Sequence, residues 1–156
     1  ETHMNKAAIE ERAATAEEAD RLQITPGDLV VSVARVILTG KRPVAYLIDV
    51  VPTRYLRKSD LTAGFNGSVL DLFLQRGNPV LNYSRTDICA AGADDEIALK
   101  LKLQSGDALL RLDAQLFTRE GNVVDYSISY FVPGHFRFHV MRRVSQSNGD
   151  AQLKSR

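Results

Sequence analysis

"SGDALLRLDAQLFTREGNVVDYS", Ser105–Ser127, repeats in outline a stretch that comes earlier in the chain, "PGDLVVSVARVILTGKRPVAYLI", Pro26–Ile48. Gly27 and Gly106 stand 79 positions apart. At that spacing Glu17 meets Glu96, Ala19 meets Ala98, Leu22 meets Leu101 and Asp28 meets Asp107. Thr39 meets Thr118 in the two turns, and Val44 meets Val123 beyond them. Each copy reads as helix, Gly-Asp turn, strand, hairpin, strand, and self-similarity at a fixed offset is evidence of duplication. Neither copy can bury a sheet face alone, so the two merge into one sheet.

Working outward from the repeat, Thr15 and Glu18 have capping-box spacing and predict a helix from Ala16. The whole segment from Asn5 to Gln23 is rich in helix formers. "SVLDLFLQRG" predicts a second helix, with Ser68 as N-cap and Gly77 closing it. "ADDEIALKLKL" predicts a third, its acidic start complementing the helix dipole. Strands are expected at "LVVSVARVIL", "PVAYLIDVV", "VLNYSRTDICA", "DALLRLDAQLFT", "NVVDYSISYFV" and "FRFHVMRRV". The fold class is α+β: a mostly antiparallel sheet of about six strands with helices covering one face.

Composition narrows the function. The 156 residues suit one domain, and 20 basic against 19 acidic residues leave a net charge of +1. Nucleic-acid binding by this chain wants a concentrated basic face, and "MRRV" is the nearest approach to one. The single cysteine, Cys89, excludes an internal disulfide and reads as a buried thiol in a reducing compartment. No stretch has the length of a membrane span, and no signal peptide opens the chain, which points to the cytoplasm. Residues 1–14 read as a cloning scar ("ETHM") and linker, 15–145 as the domain, and 146–156 as a polar, disordered tail. His135 and His139 would share a strand face, but no third metal ligand follows at a recognisable spacing. No cofactor motif is present.

Three clusters could carry chemistry. Arg35 lies on the alternation face of Val31, Val33 and Ile37, where a lone guanidinium needs an anionic partner. That partner is either an internal carboxylate, with Asp49 and Asp125 as candidates, or the acid group of a ligand. Tyr83, Arg85 and Asp87 share one face of their strand, with Ser84 and Thr86 on the other, and Arg85 suits a carboxylate. Asp125, Ser127, Ser129 and Phe131 share a face opposite Tyr126, Ile128 and Tyr130. The tyrosine face reads as core, and the aspartate face as exposed or pocket-lining.

The paired "L-x-[IL]-x-x-G-D" elements, the hairpin around "PVAY" and the hairpin "GNVVDYS" resemble the UTRA domain, from about Thr15 to Val140. UTRA domains form the effector-binding half of bacterial repressors in the HutC-like branch of the GntR superfamily. The resemblance implies a chorismate-lyase-like fold, a homodimer, and a winged helix-turn-helix domain that binds operator DNA. There is no room for that domain before Thr15, so it is expected to have been removed. The resemblance also assigns Arg35 to the effector. Where relatives that bind phosphorylated sugars carry a second arginine and a glutamate, this chain has Ile37 and Leu47. Asp125 and Phe131 stand where relatives have a glutamate and a tyrosine.

The site expected is therefore Arg35, Ile37, Leu47, Tyr83, Arg85, Asp125, Ser127 and Phe131, taking a small amphipathic carboxylate, without catalysis. The rival readings are a chorismate-lyase-like enzyme that eliminates pyruvate and a ligand-free dimerisation module.

Overall fold

The computed structural model describes residues 2–61, 65 and 67–143. The chain folds as β1 (Thr2–Met4), β2 (Ala8–Ala13), α1 (Ala16–Leu22), β3 (Leu29–Thr39), β4 (Arg42–Pro52), α2 (Val69–Arg76), β5 (Leu81–Gly92), α3 (Asp95–Leu101), β6 (Ala108–Thr118) and β7 (Val123–Phe131), with a single 3-10 turn at Lys58–Asp60. The seven strands form one antiparallel sheet. Its order is β1–β3–β4–β7–β6–β5, and β2 shares the edge of β3 with β1.

The duplication is visible bond by bond. β3 and β6 have the same bounds after a shift of 79, as do α1 and α3. Thr15 accepts from the Glu18 N–H as N-cap of α1, and Asp94 accepts from the Ile97 N–H as N-cap of α3. Gln23 and Lys102 end the helices in the left-handed conformation. The Gly-Asp turns repeat as well. Asp28 and Asp107 accept from the N–H groups of Thr25 and Gln104, and Gly27 and Gly106 take φ of +91° and +88°, which a glycine adopts without a Cβ penalty.

One match shifts. Leu38 pairs with Pro43 in the first hairpin, but Phe117 pairs with Val123 in the second. The second hairpin thus holds one more residue, and Val44 corresponds in space to Val124 rather than to Val123.

The copies also extend further upstream than expected. Residues 8–13 read as part of a helix-rich linker, yet they form β2, paired to β3 with Ala8 opposite Ala34. The equivalent pair in the second copy is Asp87 opposite Asp113. The unpaired edge of β3 outweighs the helix propensity of this segment. At the C-terminal end, "FRFHVMRRV" is not a strand over its described residues, and Phe136 and Phe138 pack edge-on against Phe131 instead. His135 and His139 therefore do not share a strand face. The tail expected at 146–156 lies outside the described residues.

The helices divide between both sheet faces, where one covered face was expected. Leu22 of α1 packs with Val30, Val50 and Tyr126, while Ile97, Ala98 and Leu101 of α3 pack with Tyr46 and Leu109. On the opposite face Val69 and Phe73 of α2 pack with Val31, Val33, Val51, Leu116 and Val124. Duplication explains the split: α1 and α3 are equivalent and cover the same face, whereas α2 belongs to the connection between the copies. Cys89 is exposed, contrary to its reading as a buried thiol, because it sits on β5 at the sheet edge.

Candidate functional site

Register determines which side chains meet. One row across the sheet joins Arg35, Leu47, Ser129, Leu112 and Ile88; the next joins Val33, Asp49, Ser127, Ala114 and Thr86. Asp125 stands opposite Leu116, which stands opposite Ser84. All of these share the face that carries α2. On it, Arg35, Asp49 and Asp125 are buried to 5%, 8% and 6% exposure, a density of charge that a sheet interior carries only when the charges compensate one another.

Arg35 donates from Nη2 to Asp49 Oδ2 and from Nη1 to the carbonyl of Gly67, just ahead of α2. The guanidinium therefore clamps the approach to α2 onto the sheet. Of the two partners open in the sequence, Asp49 takes the ion pair. Among the described residues nothing donates to the buried Asp125 Oδ1, and Arg35 Nε likewise has no partner.

Burial, followed by the charge of Asp49, pushes the Asp125 carboxyl well above the usual carboxylate range, against the opposing pull of Arg35 and the Val50 N–H. Burial also pushes Asp49 up, opposed by Arg35 and by its hydrogen bond with Asp125. The two carboxyls act on one another directly, so they titrate as a pair rather than one by one. Their nearest positive charge is Arg35.

Beside the pair lies a cavity of about 130 Å³, lined by Asp49, Ser68, Leu70, Ser84, Ala114, Leu116, Asp125 and Ser127. Three hydroxyls and two carboxyls converge on it from α2, β4, β5 and β7. Ser68 is positioned as the N-cap of α2, where it accepts from the Asp71 N–H.

Of the expected site residues, Arg35, Asp125 and Ser127 come together here. Leu47 lies in the Arg35 row, and Ile37 is two residues along the same strand face, opposite Ala45. Phe131 is on this face too, but it is six residues from Asp125, about 20 Å along a strand. There it joins Phe136, Phe138 and Leu110 around a separate apolar cavity of about 370 Å³. Tyr83 and Arg85 lie on the opposite face: Tyr83 stacks on Phe117 at 4.7 Å, and Arg85 is exposed, 3.8 Å from Asp87. The two arginines lie on opposite faces of the sheet and so do not meet. The alternation of β5 put Ser84 and Thr86 opposite Arg85, and it is the serine that lines the cavity. Asp49 was legible only as a partner for Arg35, and Ser68 only as a helix cap.

A third cavity, of about 350 Å³, lies on the other face between the copies, lined by residues that include Arg12, Glu18, Ser32, Tyr46 and Ile128. There Arg12 is engaged by both oxygens of Glu18 at 2.8 Å. Among the described residues no group of three or more His, Cys, Asp or Glu is arranged to hold a metal ion.

The chain is thus a duplicated α+β domain with one helix over a buried Arg–Asp–Asp cluster. The UTRA domain model matches residues 1–137, and the chain belongs to that family. No curated protein matches the chain in sequence. Solved structures agree on the fold. The effector domain of PhnF from Mycobacterium smegmatis is 17% identical with a TM-score of 0.78, over 92% of this chain and 88% of that one. Longer PhnF from the same organism gives 16% identity and a TM-score of 0.81, over 92% of this chain and 64% of that one. A GntR-family transcriptional regulator from Enterococcus faecalis V583 gives 19% and 0.74, over 91% of this chain and all of that one. The fold is thus the α+β, chorismate-lyase-like one that the resemblance implied.

Proposed function

We propose that the chain is the effector-binding domain of a GntR-type regulator of the HutC branch, working as a cytoplasmic homodimer without catalysis. Binding of a small molecule beside Asp49 and Asp125 would alter how attached winged-helix domains engage operator DNA. The observation that carries this reading is Asp125 Oδ1, which has no donor among the described residues, in a residue that lines a cavity bounded by three hydroxyls. A buried acceptor without a donor costs about 1–3 kcal/mol, and a ligand that supplies the donor recovers that cost.

The Arg35–Gly67 hydrogen bond suggests how occupancy is transmitted. A ligand that draws Asp49 away from Arg35 loosens the clamp ahead of α2, and one that reinforces the cluster tightens it. Coupling to DNA binding requires only that the ligand favour one of these arrangements.

A pyruvate-eliminating enzyme would need free arginines for its dicarboxylate substrate. Arg35 is held by Asp49 and Arg85 lies on the other face, so this reading is the weaker one. A ligand-free dimerisation module leaves the Asp125 arrangement without a purpose. The amphipathic carboxylate expected as ligand needed both arginines together, and the geometry favours a different ligand chemistry.

The test is a thermal-shift screen of the chain against small metabolites, with Asp125→Asn in parallel. A ligand at a hundred times its dissociation constant adds about 2.7 kcal/mol, or roughly 5–10 °C. A shift present in the wild type and absent in the variant is the expected result. Steady release of pyruvate from chorismate would instead establish the enzyme.

A further inference from the structure

Resting on the sensor reading above, we infer that the Asp49–Asp125 cavity takes a small organic cation, a primary ammonium or a similar multi-donor group, rather than an anion. Four observations lead there. The cluster contains one guanidinium and two carboxyls, all buried. Arg35 already donates to Asp49 and the Gly67 carbonyl and does not line the cavity, whereas both carboxyls do. Asp125 Oδ1 is an acceptor with no donor among the described residues. The rest of the lining is Ser68, Ser84 and Ser127 with Leu70, Ala114 and Leu116, which brings no second positive charge from α2, β5, β6 or β7.

An anion placed here would face two carboxyls. A cation would meet acceptors on several sides and give Asp125 Oδ1 a donor. An ammonium has three donors and no acceptor, which suits a wall of carboxylate and hydroxyl oxygens.

Size gives a second constraint. Water occupies about 30 Å³ in the liquid, so a cavity of about 130 Å³ holds on the order of four non-hydrogen atoms. That is an aminomethyl or aminoethyl head, with any larger remainder of the ligand outside the cavity.

Burial raises both carboxyls, and this has a consequence for binding. A cation beside the pair favours its ionised form, so a proton held by the free pair leaves to solvent as the cation enters. Affinity then rises with pH for as long as the free pair remains protonated, by up to about tenfold per pH unit. Among the described residues the charged group facing the pair of Asp49 on β4 and Asp125 on β7 is Arg35 from β3; α2, β5 and β6 contribute none to the cavity lining.

Three probes of matched size test this on the full chain: ethanolamine, ethylene glycol and glycolate, each at constant ionic strength. Ethanolamine is expected to raise the melting temperature by about 3–5 °C at ten times its dissociation constant, more at pH 8 than at pH 6, and not in Asp125→Asn. Calorimetry of ethanolamine binding to the wild-type chain, in two buffers of different ionisation enthalpy, is expected to show release of up to one proton; this readout needs no variant. A shift with glycolate and none with ethanolamine overturns the cation inference while leaving the sensor reading intact. Ethanolamine binding that persists in a folded Asp125→Asn chain, or that releases no proton, also overturns it. No shift from any of the three overturns the cation inference and withdraws support from the sensor reading as well.

Discussion

Replacing Arg35 by Met tests the buried cluster most severely. The side chain is 5% exposed, and its removal leaves Asp49 and Asp125 facing one another with no cation among the groups that line their cavity. It also frees the Gly67 carbonyl from its donor. Breaking a buried ion pair from one side costs about 3–5 kcal/mol, and for a chain of this length each kcal/mol lowers the melting temperature by about 2–4 °C. The variant should therefore melt roughly 6–20 °C below the wild type at pH 7.5. The sign of the pH dependence follows from the carboxyls. Both are already raised by burial, and without Arg35 the folded state must hold them more fully protonated. A group with a raised folded-state pKa adds stability at low pH and loses it as pH rises through that value. The deficit of the variant should accordingly be smaller at pH 5 than at pH 8. Urea unfolding at the two pH values, followed by circular dichroism, measures both. A deficit below about 1 kcal/mol, typical of an exposed ion pair, would refute the buried cluster. So would a deficit that grows on acidification.

Further tests address the duplicated frame. Thr15→Ala and Asp94→Ala remove equivalent N-caps, and each should cost about 1 kcal/mol, with additive effects in the double variant under urea unfolding. Gly27→Ala and Gly106→Ala place a Cβ in open space but at positive φ, so each should lose about 1–2 kcal/mol through backbone conformation alone. Glu18 is held below its usual range chiefly by its hydrogen bond with Arg12. Its stabilisation is present above the ordinary carboxylate range and is lost as pH falls through its depressed value, so the gap between wild type and Glu18→Gln should close between pH 6 and pH 3.

The legible parts of the fold were those controlled by local chemistry. Thr15 with Glu18 and Ser68 with Gly77 cap their helices, which begin where those caps indicate, and Asp94, read only as part of an acidic start, is the N-cap of the third. The matched Gly-Asp turns require positive φ at Gly27 and Gly106, which is why they survive duplication. β2 was misread because Ala, Glu and Arg favour a helix, whereas the open edge of β3 decides the outcome. Its counterpart at the same offset, "DICAAG", lies in a strand, so the repeat itself held the signal.

At the site, alternation put Asp125 with Ser127 and Arg85 with Tyr83, and both groupings hold. What alternation cannot say is which of two strand faces looks toward α2. That depends on the register of β5 against β6, where Arg85 meets Gln115 and Ser84 meets Leu116. Sharing a face also says nothing of distance along a strand, which separates Phe131 from Asp125.

The central claim is that a small molecule binds beneath α2, beside Asp49 and Asp125. Backbone NMR of the chain, titrated with ethanolamine, tests it most directly. The account predicts shifts concentrated at Ser68–Leu70, Ser84, Asp49 and Asp125–Ser127, saturating with a single dissociation constant. Saturable shifts confined instead to Arg12, Glu18, Tyr46 and Ile128, in the cavity on the other face, would contradict it.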